Sequence, residues 1–221
     1  MYFVLFFSYF LFVTSFQFFG EETWDKEYRE LCDSQNVESK NNLYCLDKLL
    51  LPSFETVKIE ILNWEPALVK YHEILTDGQV ERMIDLIRTK VLEPQTVDLE
   101  NRPVHPSRQA NGSYFWQDEI PEIISILEPK LPHLNFTASE SLQTLSYLPG
   151  GHYTPHFDYL DDPTDWWMIN YRNRLATLIL VFQKAENGGG TVFPSLGITV
   201  RAKAGDAFFW YNMKPDESRF T

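Results

Sequence analysis

The residues with the clearest chemical potential are His156 and Asp158, which stand two positions apart. On an extended strand, residues at this spacing point to the same side, so an imidazole and a carboxylate would converge on one ion. A distant second histidine would complete the facial triad of non-haem Fe(II) oxygenases, which leaves coordination positions open for other ligands. A His-x-Asp pair alone has low specificity, because surface or capping pairs of this kind arise often by chance.

Two other metal sites in the same stretch are disfavoured by the residues around them. His152 and His156 have the spacing of a helical zinc site, but the glycines and the proline within 150–155 disfavour a helix. His152 is therefore interpreted as a turn residue. The aspartates within 158–165 could hold Ca²⁺, but they lack the glycine and the terminal glutamate of an EF-hand loop. An acidic loop is the simpler interpretation of that segment.

The elements that would position these residues change in character along the chain. A capping box from Thr76 to Gln79, followed by apolar residues at helical spacing, predicts a helix. A second helix is predicted between Pro121 and Pro129. From Ser141 onward, short apolar runs are separated by glycine and proline turns, which is typical of a β-sandwich or barrel. These runs are 142–148, 175–182, 191–193, 198–201 and 206–211. Helices followed by strands predict an α+β fold with helices packed on one side of the β unit.

The N-terminus and the overall charge restrict the compartment and the partners. Residues 1–20 are almost entirely apolar and end in Gly20, which predicts a secretion signal, with a single membrane anchor as the alternative. No later stretch is apolar enough to span a membrane. The chain has 31 acidic and 19 basic residues and a formal net charge of −12. With no basic run, this balance argues against nucleic acid and anionic membrane surfaces as partners.

Cysteines and glycosylation sequons point to the secretory pathway. The mixed, polar segment 21–63 contains both cysteines of the chain, Cys32 and Cys45. An even pair behind a signal sequence predicts a disulfide that closes a short loop, with two free thiols as the alternative. Asn111 and Asn135 begin N-glycosylation sequons. The predicted location is the lumen of the endoplasmic reticulum or the exterior of the cell.

Four motifs follow one another through the C-terminal half of the chain. They are YLPGGHYTPHFD at 147–158, RLAT at 174–177, GGGTVFP at 188–194 and AGDAFFWYN at 204–212. Further upstream stand YRELC at 28–32, LYC at 43–45 and VKYHEIL at 69–75. In this order the motifs resemble the collagen-type prolyl 4-hydroxylase α-subunit family. The resemblance covers about residues 28–221.

The resemblance implies a fold and a site. The fold is a double-stranded β-helix, or jelly-roll, supported by N-terminal helices, with iron bound in its open mouth. His156 and Asp158 match two Fe(II) ligands, and no catalytic side chain beyond the metal ligands is implied. Tyr147 matches the residue that binds a carboxylate of 2-oxoglutarate. Thr191 matches a position on a strand that lines the same binding site.

Two further residues match positions that form a peptide groove beside the iron. These are Tyr153 and Arg174, which the resemblance implies to be substrate-binding. Each has an alternative interpretation from the residues alone. Tyr153 could be a core aromatic residue, and Arg174 could form an ion pair with an acidic loop residue such as Asp165.

The activity that the resemblance implies is hydroxylation of peptidyl proline in collagen-like proteins. The family uses molecular oxygen, Fe(II), 2-oxoglutarate and ascorbate, and its partner is protein disulfide isomerase. The family's pattern continues with a distal histidine and a distal lysine, but no histidine follows Asp158 in these 221 residues. Residues 64–221 are therefore predicted to be a dioxygenase domain without its last strands, inactive as given. The alternative is a non-catalytic secreted jelly-roll domain that binds a peptide or a metal.

Overall fold

The computed structural model describes residues 24–33, 44–50, 55–95 and 107–220. The helices are α1 (Lys26–Asp33), α2 (Asp77–Arg88), α3 (Pro121–Lys130) and α4 (Trp166–Tyr171). The strands are β1 (Tyr44–Leu50), β2 (Glu55–Trp64), β3 (Ala67–His72), β4 (Glu93–Pro94), β5 (Arg108–Gln109), β6 (Asn111–Phe115), β7 (Leu142–Ser146), β8 (His152–Tyr153), β9 (Ala176–Leu180), β10 (Thr191–Phe193), β11 (Ile198–Val200) and β12 (Ala207–Tyr211).

A five-stranded antiparallel sheet, in the order β1-β2-β3-β12-β9, lies at the centre of the fold. β12 is inserted between β3 and β9, so that Phe209 lies opposite Val69 on one side and Leu178 on the other. This insertion brings early and late parts of the chain into one sheet. Three smaller antiparallel sheets accompany it, namely β4-β6-β7, β5-β8 and β10-β11.

The two faces of the central sheet are covered by different layers. Phe208 and Phe209 are adjacent on β12 and therefore point to opposite faces. Phe209 and Tyr71 belong to a buried apolar cluster with residues of α2 and α3. Phe208 and Leu68 belong to a second cluster that includes residues of β11. Helices α2 and α3 thus pack on one side of the sheet, and the β10-β11 layer, which α1 contacts, packs on the other.

A buried carboxylate ties the turn after β3 to the turn before β12. Asp206 is 1 % exposed and accepts hydrogen bonds from the backbone N–H groups of Glu73 and Lys203, both at 3.0 Å. The ammonium group of Lys70 lies 3.7 Å from the same carboxylate. Gly205 in this turn has φ 87°, and a Cβ there would lie 2.6 Å from a backbone carbonyl oxygen. The turn therefore requires glycine at this position.

Both predicted helices are confirmed. The Thr76 hydroxyl accepts from the Gln79 N–H at 3.3 Å, and Gln79 Oε1 accepts from the Thr76 N–H at 2.8 Å, so the capping box is complete. Val80 and Met83 of α2 are buried, as their helical spacing predicts. Helix α3 begins at Pro121, which stands in its first turn.

The strands predicted after Ser141 are present as β7, β9, β10, β11 and β12. The prediction that helices precede strands is wrong, because β1, β2 and β3 come before α2. β2 lacks a clean alternating pattern, since its register against β3 shifts between Ile61 and Asn63. The α+β class is confirmed, and the antiparallel sheets are consistent with a jelly-roll.

The predicted disulfide is not formed in this structure. Cys45 is an exposed free thiol on β1, and the side chain of Cys32 lies outside the described residues. β1 is an edge strand of the central sheet, whereas α1, which carries Cys32, contacts β10 and β11. The predicted signal segment 1–20 also lies outside the described residues. Within the part of the chain that is described, no helix is long and apolar enough to cross a membrane.

Candidate metal centre

His156 and Asp158 converge, although their backbone is not a regular strand. Both residues follow β8 in an irregular segment, with a bend at Asp158. His156 Nε2 lies 3.2 Å from Asp158 Oδ1. The convergence that the spacing predicts is therefore present, and an extended loop produces it rather than a strand.

The imidazole of His156 is oriented by two neighbours. Its Nδ1 lies 2.8 Å from the backbone carbonyl oxygen of Thr154. Because a carbonyl only accepts, Nδ1 carries a hydrogen, and Nε2 is the nitrogen left to bind a metal. The ring of Tyr153 stacks on the imidazole, with centroids 3.8 Å apart and planes 25° apart. A hydrogen bond to Nδ1 of this kind is the usual outer-shell support of a metal-binding histidine.

The carboxylate of Asp158 is oriented from β9. The hydroxyl of Thr177 donates to Asp158 Oδ2 at 2.6 Å, and Asn212 Nδ2 donates to the Thr177 hydroxyl oxygen at 2.9 Å. Asp158 Oδ1 is left facing His156. Sequence reasoning does not single out Thr177 or Asn212, although both stand within the RLAT and AGDAFFWYN motifs. Their hydroxyl and amide groups at the ends of apolar strands are the signal that could have identified them.

Mutual hydrogen bonding sets the protonation of the His–Asp pair. Burial alone would lower the pKa of His156, but its hydrogen bonds to Asp158 and to the Thr154 carbonyl outweigh burial and raise it. Burial alone would raise the pKa of Asp158, but hydrogen bonds from His156 and Thr177 outweigh burial and lower it. Without a metal, the two side chains thus stabilise each other as an imidazolium and a carboxylate.

The Tyr153 phenol lies beside this pair, and Arg108 and the half-exposed Tyr147 lie near that phenol. Arg108 on β5 lies opposite Tyr153 on β8, with its guanidinium carbon 4.5 Å from the centroid of the Tyr153 ring. Burial raises the pKa of the Tyr147 and Tyr153 phenols, and the positive charge of Arg108 offsets part of this rise. Both phenols therefore stay protonated at neutral pH and can donate hydrogen bonds. Arg108 is not predicted from the sequence, because its position depends on the β5-β8 pairing.

Arg174 is held by a glutamate rather than by the acidic loop. Its Nε and one terminal nitrogen contact the two carboxylate oxygens of Glu140 at 2.6 and 3.0 Å. A second terminal nitrogen lies 3.3 Å from the backbone carbonyl oxygen of Asp158. The hydrogen bond to Glu140 raises the pKa of Arg174, with burial opposing it. The proposed alternative partner, Asp165, is therefore replaced by Glu140, and Arg174 remains beside the metal-binding pair.

The remaining predicted site residues lie further out. Thr191 is on β10 opposite Val200, in the β10-β11 layer rather than on β9 with Thr177. Its contact with 2-oxoglutarate stays a prediction. The sequon residue Asn135 is exposed and accepts from the Thr137 hydroxyl at 2.7 Å. Asn111 begins β6, and glycosylation at both asparagines also stays a prediction.

The described residues offer a two-donor centre. Among them, no three His, Cys, Asp or Glu side chains lie close enough together to hold a metal ion. His152, the alternative ligand, is buried on β8 rather than in a turn. Its Nδ1 lies 3.1 Å from the Gly150 carbonyl oxygen, and its ring meets the ring of Trp24 edge to face. His156 and Asp158 are therefore the candidate ligands.

No family model matches the chain, but curated proteins and solved structures resemble it. The chain is 31% identical over 205 residues to prolyl 4-hydroxylase subunit alpha-2 of Caenorhabditis elegans, covering 86% of this chain and 37% of that protein. It is 33% identical over 159 residues to prolyl 4-hydroxylase subunit alpha-1 of Homo sapiens, covering 68% of this chain and 30% of that protein. The chain thus spans about a third of the length of these curated relatives.

A solved structure shows the same fold. The viral collagen prolyl hydroxylase of Paramecium Bursaria Chlorella virus-1, in complex with 2-oxoglutarate, superposes with a TM-score of 0.51 and 24% sequence identity, covering 69% of this chain and 82% of that chain. The likeness to this structure shows a shared α+β fold. The sequence matches show in addition that the chain is a homologue of the prolyl 4-hydroxylase alpha subunits.

Proposed function

We propose that this chain carries the catalytic region of a prolyl 4-hydroxylase that hydroxylates peptidyl proline in collagen-like proteins. The observation that carries the proposal is the 3.2 Å separation of His156 Nε2 and Asp158 Oδ1. The other polar atom of each side chain is engaged by a protein partner, Thr154 for His156 and Thr177 for Asp158. Two ligand atoms are therefore left facing each other at one point.

The donor set fits Fe(II). One imidazole nitrogen and one carboxylate oxygen are two of the three ligands of the facial triad, and both are already supported by outer-shell hydrogen bonds. His156 and Asp158 would hold the ion. Bound there, Fe(II) would supply the oxidation of proline by oxygen with 2-oxoglutarate as co-substrate, and ascorbate would keep the metal reduced.

The co-substrate would be oriented by uncharged donors and by a nearby cation. Because burial keeps the phenol of Tyr147 protonated, that phenol is suited to donate to a carboxylate of 2-oxoglutarate. Thr191 would offer a hydroxyl to the same ligand. The positive charge of Arg108, close enough to influence Tyr147, favours an anionic ligand on this side of the centre.

The peptide would lie across Tyr153 and Arg174. The Tyr153 ring is held between Arg108 and His156, so it presents a fixed aromatic surface beside the metal ligands. Glu140 holds the Arg174 guanidinium by two hydrogen bonds while 41 % of that side chain stays exposed. A rigid aromatic ring and an oriented donor suit a proline-rich chain, which offers ring faces and carbonyl oxygens.

The 221-residue polypeptide itself is proposed to be inactive. Its five histidines are His72, His105, His133, His152 and His156, so none follows Asp158 to serve as the distal ligand. The distal lysine that the resemblance implies for the far carboxylate of 2-oxoglutarate also lacks a counterpart. A non-catalytic secreted jelly-roll domain that binds a peptide or a metal is the second candidate. The two-donor centre among the described residues favours it for this polypeptide.

The compartment is inferred from the predicted signal, and the partner from the family resemblance. We infer residence in the lumen of the endoplasmic reticulum or secretion, with glycans at Asn111 and Asn135. Protein disulfide isomerase is the inferred partner. A disulfide between Cys32 and Cys45 would require the two thiols to approach, since Cys45 is free here. Peptide mapping without reduction would test this inference, and two free thiols in the secreted protein would refute it.

The hydroxylase proposal is tested by restoring the missing groups. Residues 1–221 are joined to a segment that carries a distal histidine and a distal lysine, and succinate formation is measured with a proline-rich peptide. We expect Fe(II)-dependent succinate and hydroxyproline from the joined protein, neither product from its His156→Ala variant, and neither from the 221-residue polypeptide. A well-folded but inactive joined protein would count against the hydroxylase proposal.

A further inference from the structure

We propose that Thr177 and Asn212 form a hydrogen-bond relay that fixes the Asp158 carboxylate so that only Oδ1 faces the metal. This inference rests on the proposed function, because it requires His156 and Asp158 to be the metal ligands. It goes further in assigning two positioning residues that touch neither metal nor substrate. The relay runs from the end of β12, through β9, to the loop that carries the ligands.

Asn212 determines which atom donates and which accepts in each hydrogen bond of the relay. This residue is 8 % exposed, and its Nδ2 lies 3.3 Å from the Arg174 carbonyl oxygen and 2.9 Å from the Thr177 hydroxyl oxygen. Because a carbonyl oxygen can only accept, the end of the amide that faces Arg174 must be the nitrogen. The two hydrogens of that nitrogen therefore point to Arg174 and to Thr177.

The Thr177 hydroxyl accepts from Asn212 and therefore donates to Asp158. A hydroxyl has one hydrogen, and here its oxygen already accepts from Asn212. Its hydrogen is consequently available for Asp158 Oδ2, at 2.6 Å. A bond of this length to a carboxylate is charge-assisted and among the stronger hydrogen bonds in proteins. Without Asn212, the same hydroxyl could rotate and donate elsewhere.

The consequence is a carboxylate held in a single orientation. Oδ2 is occupied by Thr177, whereas Oδ1 lies 3.2 Å from His156 Nε2. Asp158 would therefore bind the ion through one oxygen and keep the neighbouring coordination positions open. Loss of an outer-shell partner of this kind typically weakens metal binding by about 10–100-fold.

The test is Co(II) binding by the joined protein that carries the distal histidine and lysine, followed by calorimetry and by the visible spectrum of the ion. Thr177→Val removes the hydroxyl at nearly constant volume, and we expect it to weaken Co(II) binding about 10–100-fold. We also expect its spectrum to change, because Asp158 would be free to bind through both oxygens. Thr177→Ser keeps the hydroxyl and is expected to restore both the affinity and the spectrum.

Two further variants distinguish loss of the relay's hydrogen bonds from a general loss of packing. Thr144→Val removes the hydroxyl of another buried threonine, which donates to the Ser113 carbonyl oxygen at 3.1 Å, and it should keep the wild-type affinity for Co(II). Asn212→Ala should weaken binding less than Thr177→Val does. The double variant should bind like Thr177→Val alone, because Asn212 acts through Thr177.

Each outcome decides between the relay and its alternatives. A folded Thr177→Val protein with wild-type affinity and spectrum would overturn the relay, as would Thr177→Ser that fails to restore them. If Thr177→Val does not fold, Asn212→Ala decides, since the relay predicts weaker Co(II) binding and packing alone predicts no change. Wild-type binding that is absent, or that survives His156→Ala, would refute the proposed metal site itself and the relay with it.

Discussion

At the residue scale, two buried polar side chains carry structural roles that their exposure and partners define. Asp206 accepts hydrogen bonds from two backbone N–H groups, one in the turn after β3 and one in the turn before β12. Tyr71 is 4 % exposed on the core face of the sheet, with its hydroxyl 3.3 Å from His133 Nε2. For each of these two side chains, a substitution is expected to change the stability of the fold independently of the metal site.

Asp206→Ala is expected to destabilise the fold by about 3–5 kcal/mol, because it removes the buried acceptor of two backbone N–H groups and the opposite charge next to Lys70. Chemical denaturation monitored by circular dichroism measures the free energy of unfolding. Asp85→Ala is the matched control, since Asp85 is exposed and pairs with Arg88 on the helix surface. The control should change stability by less than about 1 kcal/mol. Equal effects of the two substitutions would contradict the role given to Asp206.

Tyr71 should make the protein sensitive to alkali. Burial, with a smaller contribution from Tyr211, raises its pKa from 10.0 to about 12. A raised pKa in the folded state means that this stabilisation is complete below pH 10 and is lost as the pH rises to about 12. The loss amounts to about 2–3 kcal/mol, at 1.36 kcal/mol for each pKa unit.

Tyr71→Phe, which cannot ionise, should lose correspondingly less stability over this alkaline range. The measurement is the free energy of unfolding by urea at stepped pH values. Tyr114→Phe serves as the control, because Tyr114 is 50 % exposed and the buried phenol of Tyr71 is intact in that variant. If Tyr71→Phe and the wild type lose stability in parallel, the phenol of Tyr71 is not the group responsible.

At the element scale, elements with local signals are those that the sequence predicts. Each correctly predicted element has a signal within a few residues of its start or end. These signals are the capping box at Thr76, the proline at position 121 and the glycines that bound the runs of β10 and β12. Strands β1, β2 and β3 have no such local signal. They are stabilised by pairing with other strands and by burial on one face, and neither leaves a short sequence motif. Pairing partners such as Phe209 and Val69 are distant in sequence, and periodicity cannot reveal them.

The capping box gives a prediction for α2. Thr76→Ala removes the acceptor of the Gln79 N–H and is expected to destabilise the protein by about 1 kcal/mol. Thr76→Ser keeps a hydroxyl at the cap and should retain most of that stability. Thermal unfolding of the two variants, measured side by side, checks the expectation. Similar losses for alanine and serine would show that the hydroxyl is not the stabilising group.

At the scale of the whole molecule, the site is assembled from parts that are remote in sequence. His156 and Asp158 come from one loop, Thr177 from β9, Asn212 from the end of β12, and Arg108 from β5. The convergence of His156 and Asp158 could be predicted because they stand two positions apart in the sequence. The residues that support this pair could not, since only the folded chain brings them within hydrogen-bonding distance.

The most direct measurement is residue-resolved. The chain has five histidines, whose ring nitrogens can be followed by ¹⁵N nuclear magnetic resonance as Zn(II), a diamagnetic substitute for Fe(II), is added. We expect the Nε2 resonance of His156 to shift while Nδ1 keeps its hydrogen, and we expect Asp158→Ala to abolish the shift. A Zn(II)-dependent shift at His152 instead, or metal binding through Nδ1 of His156, would contradict the assignment of His156 and Asp158 as metal ligands.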